Sequence, residues 1–323
     1  MIRLRIFRNG DPPALADLWN RGLPGRGVVR PLGPHEFNEQ ILTRLTFDRQ
    51  GLILAEDEGR VVGFAHAEFG PAATRGSSHR LDHDMGTVAM LVLDPDRDDP
   101  TVGRALFAEA EAYLLGRGAK LFYAGGQSEL SSCYSGLYGG SECSGILAGH
   151  SVFRRVAEEV GYQPVAESIH LEADLAAPEV RDPRTLILRR QLRVDVVDDA
   201  LPATWWEANS IGQARITRFR VFSKLGDQVL ARASTWDMAA FGRLDGKARA
   251  GLIDVEVDED KRHQGFGRYL VSEVLRHCRN DWGEFVSVQA RSTNLAALGL
   301  YESLGFARVD SSTLYRKPGS RGG

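Results

Sequence analysis

Apolar and polar residues follow two recurring patterns along the chain, strict alternation in short segments and three-to-four-residue spacing in longer ones. Alternation is typical of a strand with one buried face, and the longer spacing is typical of an amphipathic helix. Up to residue 124 these segments predict the order strand, helix, helix, three strands, helix, strand. The predicted strands cover residues 2–7, 52–55, 61–69, 86–93 and 120–124, and the predicted helices cover 14–22, 34–47 and 101–115.

Residues 125–149 show neither period. The segment is rich in Gly and Ser and contains two aromatic residues, Tyr134 and Tyr138. A loop of this length inside a compact domain is usually either functional or disordered, and the sequence leaves an ordered functional loop and a solvated connection as alternatives. The elements predicted to follow it are a helix at 151–160 and strands at 165–175 and 185–194.

The pattern begins again near Leu201, which indicates an internal duplication. The second copy contains a short helix near Trp205 but lacks the opening strand and most of the two early helices. We therefore expect two domains, residues 1–199 and 200–323, called here the first half and the second half. The other elements predicted in the second half are strands at 216–223, 228–238, 250–257 and 284–290, helices at 267–279 and 296–304, and closing strands after residue 306.

Length and composition agree with two ordinary globular domains. The chain has 323 residues, more than one hydrophobic core usually organises, with 43% hydrophobic and 26% charged residues. A formal net charge of −3 and scattered basic residues make nucleic acid an unexpected partner. No apolar run reaches 18 residues and the N-terminus shows no signal-peptide core, so we expect a cytoplasmic protein without a membrane partner.

The cysteines exclude two further classes of protein. Cys133, Cys143 and Cys278 are odd in number and have no Cys-x-x-Cys spacing. A disulfide framework and a zinc cluster are therefore not expected. We expect free thiols and no metal site.

The densest chemical signal lies between residues 257 and 270, where a strand runs into a Gly-punctuated turn and then a helix. The turn, residues 262–267, reads Arg-x-x-Gly-x-Gly. Backbone N–H groups at a helix N-terminus carry partial positive charge and can hold a pyrophosphate. A turn of this kind is also what an ordinary structural cap produces. Three downstream features accompany it: Asn294, Tyr301 and Leu-Gly-Phe at 304–306.

Together these residues resemble the two signature motifs of the GNAT superfamily of acetyl-coenzyme A-dependent acyltransferases. The resemblance implies an α/β (α+β) fold class, with two tandem GNAT folds, each a mostly antiparallel mixed sheet flanked by helices. It implies acetyl transfer from acetyl-coenzyme A, without a metal, to a small-molecule or peptide amine. It places pantetheine beside Val255 and Val257, the cofactor arm at Asn294 and a general acid at Tyr301. It assigns the pyrophosphate to Arg262, His263, Gln264, Gly265, Phe266, Gly267 and Arg268.

Physical chemistry supports these roles and leaves structural alternatives beside them. Attack on a thioester expels a thiolate, to which a positioned phenol such as Tyr301 donates a proton. A tyrosine packed in the core is the alternative for that residue. Asn294 precedes an apolar helix and is also suited to cap its N-terminus.

The general base is less clearly encoded. Family members that acetylate a ribosomal-protein alanine place a Glu where this chain has Gln289, and an amide accepts no proton at neutral pH. By strand alternation Glu256 and Asp254 project to one face, opposite Val255, and either carboxylate is a candidate base acting through water. A solvated strand face, or an amine of low pKa that needs no base, remains an alternative.

The first half reads as a degenerate copy of the same design. Asp98, Asp99 and Pro100 stand where the second half has the start of its turn, so carboxylates oppose the pyrophosphate and proline removes an N–H donor. Alignment of the two halves also places Ala157 opposite Tyr301 and His150 opposite Asn294. Catalysis in the first half is therefore not expected.

The second half lacks most of the two early helices, which would otherwise form a wall of its acceptor pocket. We expect the first half and its 125–149 loop to supply that wall. The candidate lining residues are Tyr134, Tyr138, Trp205 and Trp206, for each of which core packing is the alternative.

The rival function is a non-catalytic acyl-coenzyme A-binding or regulatory module. A Rossmann protein is disfavoured because no Gly-x-Gly-x-x-Gly follows the first strand.

Overall fold

The computed structural model describes residues 2–72, 80–97, 99–180, 182–243, 245–281 and 283–319. Asp98 lies outside these ranges. Among the residues described, no helix is both long enough and apolar enough to cross a lipid bilayer.

The strands form one 13-stranded sheet. The first seven are β1 (Arg3–Ile6), β2 (Leu52–Asp57), β3 (Arg60–Pro71), β4 (Leu81–Leu93), β5 (Leu121–Ala124), β6 (Ile146–Leu147) and β7 (Gln163–Asp174). The remaining six are β8 (Leu192–Val197), β9 (Ile216–Ser223), β10 (Val229–Asp237), β11 (Arg249–Val257), β12 (Phe285–Arg291) and β13 (Ala307–Arg316).

The helices flank this sheet. Those that precede β8 are α1 (Pro12–Gly22), α2 (Pro34–Phe37), α3 (Pro100–Gly116), α4 (Ser151–Glu159) and α5 (Pro183–Gln191). Those that follow it are α6 (Trp205–Ile211), α7 (Phe266–Asn280) and α8 (Leu295–Glu302). Short helical turns add Asn38–Leu42, Ala239–Arg243 and Glu259–Lys261.

Equivalent strands of the two copies follow in the same order from the two edges of the sheet: β1 to β5 from one edge and β8 to β12 from the other. The full order runs β1-β2-β3-β4-β5-β13-β7-β12-β11-β10-β9-β8, with β6 paired to β13. In the described sheet, β4 with β5 and β11 with β12 are the parallel pairs, and the other neighbours are antiparallel. The predicted fold class, a mostly antiparallel mixed sheet flanked by helices and built twice, is confirmed.

The two copies exchange their last strands. β7 follows β5 in the first half, yet it pairs with β12 over Phe285–Arg291. β13 ends the second half, yet it pairs with β5 through Tyr315 and Arg316. The two exchanged strands also pair with each other along their length. Hydrogen bonding therefore continues without a break across the centre of the molecule.

The hydrophobic cores follow the exchange. Tyr315 of β13 packs into the core of the first half with Phe107 and Phe153, and Leu171 and Ala173 of β7 pack into the core of the second half. A third core spans both halves and contains much of the 125–149 loop. Its members from the loop are Cys133, Tyr134, Leu137, Tyr138, Cys143 and Leu147, and its members from the second half are Ile216, Trp236, Met238, Phe241 and Ile253.

Three predicted elements differ from the structure. The predicted strand at 185–194 is the helix α5 followed by β8, because Pro183 starts the helix and the Asp182 side chain caps it. The opening strand of the second copy is present as β8, which pairs with β9 as β1 pairs with β2. The predicted helix at 34–47 ends at Leu42, after a π-helical turn.

We expect Tyr315→Ala to destabilise both halves together. The side chain is 2% exposed and its hydroxyl donates to Glu158 Oε1 at 2.9 Å. Truncation of a large buried aromatic costs about 3–5 kcal/mol of unfolding free energy. Urea unfolding followed by tryptophan fluorescence should show a single transition at lower urea concentration, with Arg316→Ala, an exposed neighbour, as the control. Separate transitions, with only one displaced, would contradict a shared central sheet.

Candidate active site

A cleft opens where two parallel strands of the second half separate. β11 and β12 pair only from Arg249 to Leu252, opposite Phe285–Val288. A bulge follows in β11, because Ile253 lies opposite Ser234 while Glu256 already lies opposite Arg232. Asp254 adopts a φ of 52° there. A bulge bends its strand and increases the local twist, so this one directs the end of β11 away from β12.

The cleft has a volume of about 760 Å³ and is lined by both halves of the chain. The residues of the second half that line it come from α6, β9, β10, β11, β12 and α8. The first half contributes two segments of the 125–149 loop, Gln127–Glu129 and Ser141–Ser144, together with Ser135 and Ser168. The expectation that the first half walls the cleft agrees with this lining.

The predicted pyrophosphate-binding turn lies at the N-terminus of α7, directly after β11. Gly265 caps the helix with a φ of 88°, a left-handed conformation that glycine adopts without strain. The first N–H groups of a helix have no partner within it, so those of Phe266 and Gly267 are available to an anion. Arg262 is about half exposed beside the turn, with its Nη1 atom 3.8 Å from Glu259.

Three other predicted cofactor residues lie on β11 and at the start of α8. Val255 and Val257 pack against the core below β11, and Val255 lines the cleft. Asn294 caps α8, where its side chain accepts from the N–H of Ala297 at 3.1 Å, and it also lines the cleft. The structure therefore shows the predicted helix cap, on a residue that also faces the cleft.

Arg268 is directed away from the turn. Its Nη1 donates to Ser303 Oγ at 2.6 Å, and its Nε lies 2.8 Å from Asp182 Oδ2. The guanidinium thereby ties α7 to α8 and α5. Only the backbone of Arg268 is placed to face an anion at the turn.

Tyr301 lies on α8 with 4% of its surface exposed and lines the cleft. Its ring packs against Phe306 at a centroid distance of 5.4 Å. Burial raises the pKa of its phenol well above the usual value, and the carboxylate of Glu142 raises it further. The phenol therefore remains protonated at neutral pH, as a proton donor must.

Glu256 and Asp254 both line the cleft, but not through the simple alternation that the sequence predicts. Because of the bulge, Glu256 shares its face of β11 with Ile253. Its carboxylate accepts from Arg232 Nε at 2.8 Å, which makes an ion pair on the rim of the cleft. Glu207 and Arg218 form a second ion pair nearby, at 2.7 Å.

Glu142 is a cleft residue that the sequence analysis missed. It comes from the 125–149 loop of the first half, is half-buried, and lines the cleft together with Tyr301. Burial, followed by the carboxylates of Asp254 and Glu129, raises its pKa to about 7, while Arg291 opposes the shift. No periodicity marks it, and its position in an aromatic-containing loop is the only signal that points there.

The four candidate aromatic residues lie in two different places, two beside the cleft and two in the core between the halves. Trp206 lines the cleft and its indole N–H donates to the Ser128 carbonyl at 2.6 Å. Trp205 packs beside it at a ring distance of 5.9 Å. Tyr134 and Tyr138 are at most 2% exposed and belong to the core between the halves. The expectation that these two tyrosines line the pocket is wrong, because their rings anchor the loop instead.

The corresponding turn of the first half already holds an anion of its own. The Asp99 carboxylate caps α3, accepting from the N–H of Thr101 at 2.9 Å, and Pro100 occupies the first helical position. Hydrogen bonds from Thr101 hold the pKa of Asp99 below its usual value, so the group is charged. A carboxylate at this N-terminus competes directly with pyrophosphate.

In the first half, the position beside β4 that corresponds to the cleft beside β11 is filled by the chain itself. Gly125 N–H donates to Val88 at the point where β5 ends, and the 125–149 loop then covers the rest of β4. Ala157 and His150, the counterparts of Tyr301 and Asn294, are buried there. The first half therefore lacks both the turn and the open cleft of the second half in the part of the chain described.

Three residues with potential metal-ligand atoms, His66, Glu68 and Cys133, lie within 4.8 Å of one another below the loop. Burial lowers the pKa of His66 to about 4 and raises the pKa values of Glu68 and Cys133. His66 and the Cys133 thiol are thus neutral at pH 7. His66 Nδ1 bonds to the Tyr134 hydroxyl at 3.0 Å, and Glu68 accepts from Ser131. The arrangement is a hydrogen-bonded polar cluster that fixes the loop to β3.

The family model for the acetyltransferase (GNAT) family matches residues 14–131 and 199–306. Among curated relatives, the mycothiol acetyltransferase of Nocardiopsis dassonvillei is 35% identical over 28% of this chain and 30% of its own length. The ribosomal protein bS18-alanine N-acetyltransferase of Salmonella typhimurium is 31% identical over 33% of this chain and 74% of its own. The chain thus spans less than a third of the first of these relatives.

Solved structures share the fold over nearly the whole chain. A GCN5-related N-acetyltransferase from Sphaerobacter thermophilus superposes with a TM-score of 0.66 and 15% identity, covering 98% of this chain and 95% of that one. A tandem GNAT protein from the clavulanic acid biosynthesis pathway gives the same TM-score and identity, with 98% of each chain covered. At this identity the likeness concerns the fold alone.

From the two turns we expect one coenzyme A site per chain. Gly265→Asp places a carboxylate and an unfavourable left-handed residue at the second turn, so affinity for coenzyme A should fall at least about tenfold. Titration calorimetry with coenzyme A measures both stoichiometry and affinity.

The matched control is Thr101→Asp, which makes the same change in charge at the corresponding position of the first turn. It should leave the binding isotherm unaltered. Two sites per chain, or a loss of affinity on Thr101→Asp, would show that the first turn also binds the ligand.

Proposed function

The chain belongs to the acetyltransferase (GNAT) family, and from this membership we propose that its second half transfers an acetyl group from acetyl-coenzyme A directly to an amine. The single observation that carries the proposal is the cleft itself. It opens where the parallel strands β11 and β12 diverge, contains the buried, protonated phenol of Tyr301, and extends along β11 to Glu256, shortly before the turn at the N-terminus of α7.

The residues present fit acetyl-coenzyme A. The turn from Arg262 to Gly267 and the backbone N–H of Arg268 would hold the pyrophosphate, the edge of β11 at Val255 and Val257 the pantetheine, and Asn294 the arm. Arg291 Nη1 and Gln289 Oε1 are buried polar atoms without a hydrogen-bond partner among the described residues, and both residues line the cleft. Such atoms indicate that the cleft is completed by a ligand or by water.

The reaction needs a proton donor at the sulfur and a proton acceptor at the amine. Acetyl-coenzyme A, when bound, supplies a thioester carbonyl and a thiolate leaving group. Tyr301 donates its phenolic proton to the departing sulfur. Glu256 is a candidate proton acceptor, with its carboxylate already engaged by Arg232.

We propose that the acceptor arrives as a cation. Three carboxylates, those of Glu129, Glu142 and Asp254, line the cleft, and those of Asp254 and Glu129 raise the pKa of Glu142. A primary ammonium group is attracted to such a site. One curated relative is named a mycothiol acetyltransferase and another an N-acetyltransferase of an alanine in a ribosomal protein, so small-molecule and peptide amines both belong in a substrate screen.

The two halves divide the work. Residues 200–323 provide the turn, the diverging strands and Tyr301, whereas residues 1–199 provide the opposite wall of the cleft and the strand β7 that pairs with β12. The first half acts as a scaffold because its own turn is capped by Asp99.

Tyr301→Phe should reduce turnover without weakening the binding of acetyl-coenzyme A. The substitution removes one hydroxyl and keeps the ring that packs on Phe306. General acid catalysis contributes about 10²–10⁴-fold, so kcat should fall by at least about 100-fold. Release of free thiol with a panel of amines measures turnover, and calorimetry measures affinity.

Tyr113→Phe is the matched control, because it removes a hydroxyl that bonds to Asp48 in the first half. It should leave thiol release unchanged. Full turnover by Tyr301→Phe would reduce Tyr301 to a packing residue. If the unaltered protein releases no thiol with any amine, the protein is a coenzyme A-binding module instead.

A further inference from the structure

We propose that Glu142, from the loop of the first half, is the general base that deprotonates the acceptor amine in the cleft of the second half. The inference rests on the proposed acetyl transfer and deepens it, because it places one catalytic residue in each half of the chain. Neither half would then be a complete enzyme alone.

The loop reaches the cleft through specific contacts with the second half. Gln289 of β12 donates its amide hydrogen to the carbonyl of Gly139, and Trp236 of β10 donates its indole N–H to the carbonyl of Ser141 at 3.0 Å. The two bonded carbonyls belong to residues three and one positions before Glu142. The carboxylate is therefore carried on a segment fixed to β12 and β10, two of the strands that line the cleft.

The backbone of the loop depends on glycine at this contact. Gly139 and Gly140 have φ values of 93° and 80°, in the left-handed region. A Cβ atom on Gly140 would lie 3.2 Å from Gln289 Nε2, closer than most such contacts. The close approach of loop and strand thus requires glycine.

Each element around Glu142 presents a group that affects its proton. Asp254 of β11 and Glu129 of the same loop disfavour its negative charge, whereas Arg291 of β12 favours it. Tyr301 of α8 and the buried thiol of Cys143 lie close enough to interact electrostatically with its carboxylate. At the rim, the Glu207–Arg218 and Glu256–Arg232 pairs each neutralise themselves.

The result is a carboxylate suited to accept a proton near neutrality. With a pKa of about 7, the carboxyl group of Glu142 is half protonated and half charged at neutral pH. A general base is most effective when its pKa lies near the working pH. Glu256 has a partner in Arg232, and Asp254 sits on the backbone bulge. For Glu142, the described residues show no hydrogen bond or ion pair that would occupy its carboxylate.

The proton balance is complete with two residues. The ammonium form of the acceptor gives one proton to the Glu142 carboxylate, and the amine lone pair then forms the C–N bond to the acyl carbon. The C–S bond breaks as Tyr301 gives its phenolic proton to the sulfur. The second proton of the nitrogen restores Tyr301, and Glu142 releases its proton to solvent. The products are the amide, the free thiol and one proton.

The test is the pH profile of kcat/KM for thiol release, with the amine found in the substrate screen. The unaltered protein should lose activity tenfold per pH unit below about pH 7, as Glu142 becomes protonated. Glu142→Gln should lower kcat/KM by about 10²–10⁴-fold and remove that limb, while leaving acetyl-coenzyme A affinity unchanged. Glu109→Gln, an exposed residue on α3, is the matched control and should keep the normal profile.

A second pair of variants separates the base from the loop that carries it. Gln289→Glu replaces the amide donor to Gly139 with a carboxylate, so it should lower activity although it adds an acidic residue. Glu256→Gln should retain the limb near pH 7.

The inference is overturned if Glu142→Gln keeps the limb, if Glu256→Gln removes it, or if Gln289→Glu raises turnover. Absence of thiol release by the unaltered protein would instead overturn the proposed function, and the role of Glu142 with it.

Discussion

The pairing of β7 with β13 at the centre of the sheet is the interaction on which the rest of the structure depends. Each strand ends one copy of the repeat and fills the place beside β5 or β12 of the other copy. Burial follows the hydrogen bonds, since Tyr315 completes one core and Leu171 the other. A continuous ladder of this kind fixes the relative position of the halves far more tightly than side-chain contacts between separate domains.

This fixed geometry gives the first half a use after the loss of its own binding turn. Asp99 and Pro100 block the helix N-terminus there, and the chain beyond β5 is free to form a long loop instead of a cofactor channel. The loop remains ordered because its aromatic residues enter the shared core and because the polar cluster at His66 holds it to β3. The buried Arg44 guanidinium also links the loop to α6, because it donates to the carbonyl of Ser135 in the loop and to that of Ser210 in the helix. The second half thus gains a wall that it does not encode.

Electrostatics inside the cleft depend on this same arrangement. A lone carboxylate in water would be fully ionised at pH 7, and only burial against two like charges brings Glu142 close to half protonation. The pKa of Tyr301 is raised as well, so its phenol keeps its proton and can act as a donor. Groups with such different proton affinities facing one cleft are what acid–base chemistry at neutral pH requires.

The sequence alone determined the family, the duplication and most elements, because Arg-x-x-Gly-x-Gly, Asn294 and Tyr301 lie on local segments whose periods and caps are written in neighbouring residues. It also predicted the degenerate turn at Asp99. It did not reveal β8, because Leu186, Ile187 and Leu188 resemble a strand until the Asp182 cap is seen, nor the bulge at Asp254, which depends on pairing with β10. Strand exchange and the position of Glu142 are contacts between residues about 110 to 190 positions apart, such as Glu142 with Asp254 and Tyr315 with Ala124. No local pattern encodes such contacts, so only the tertiary structure decided them.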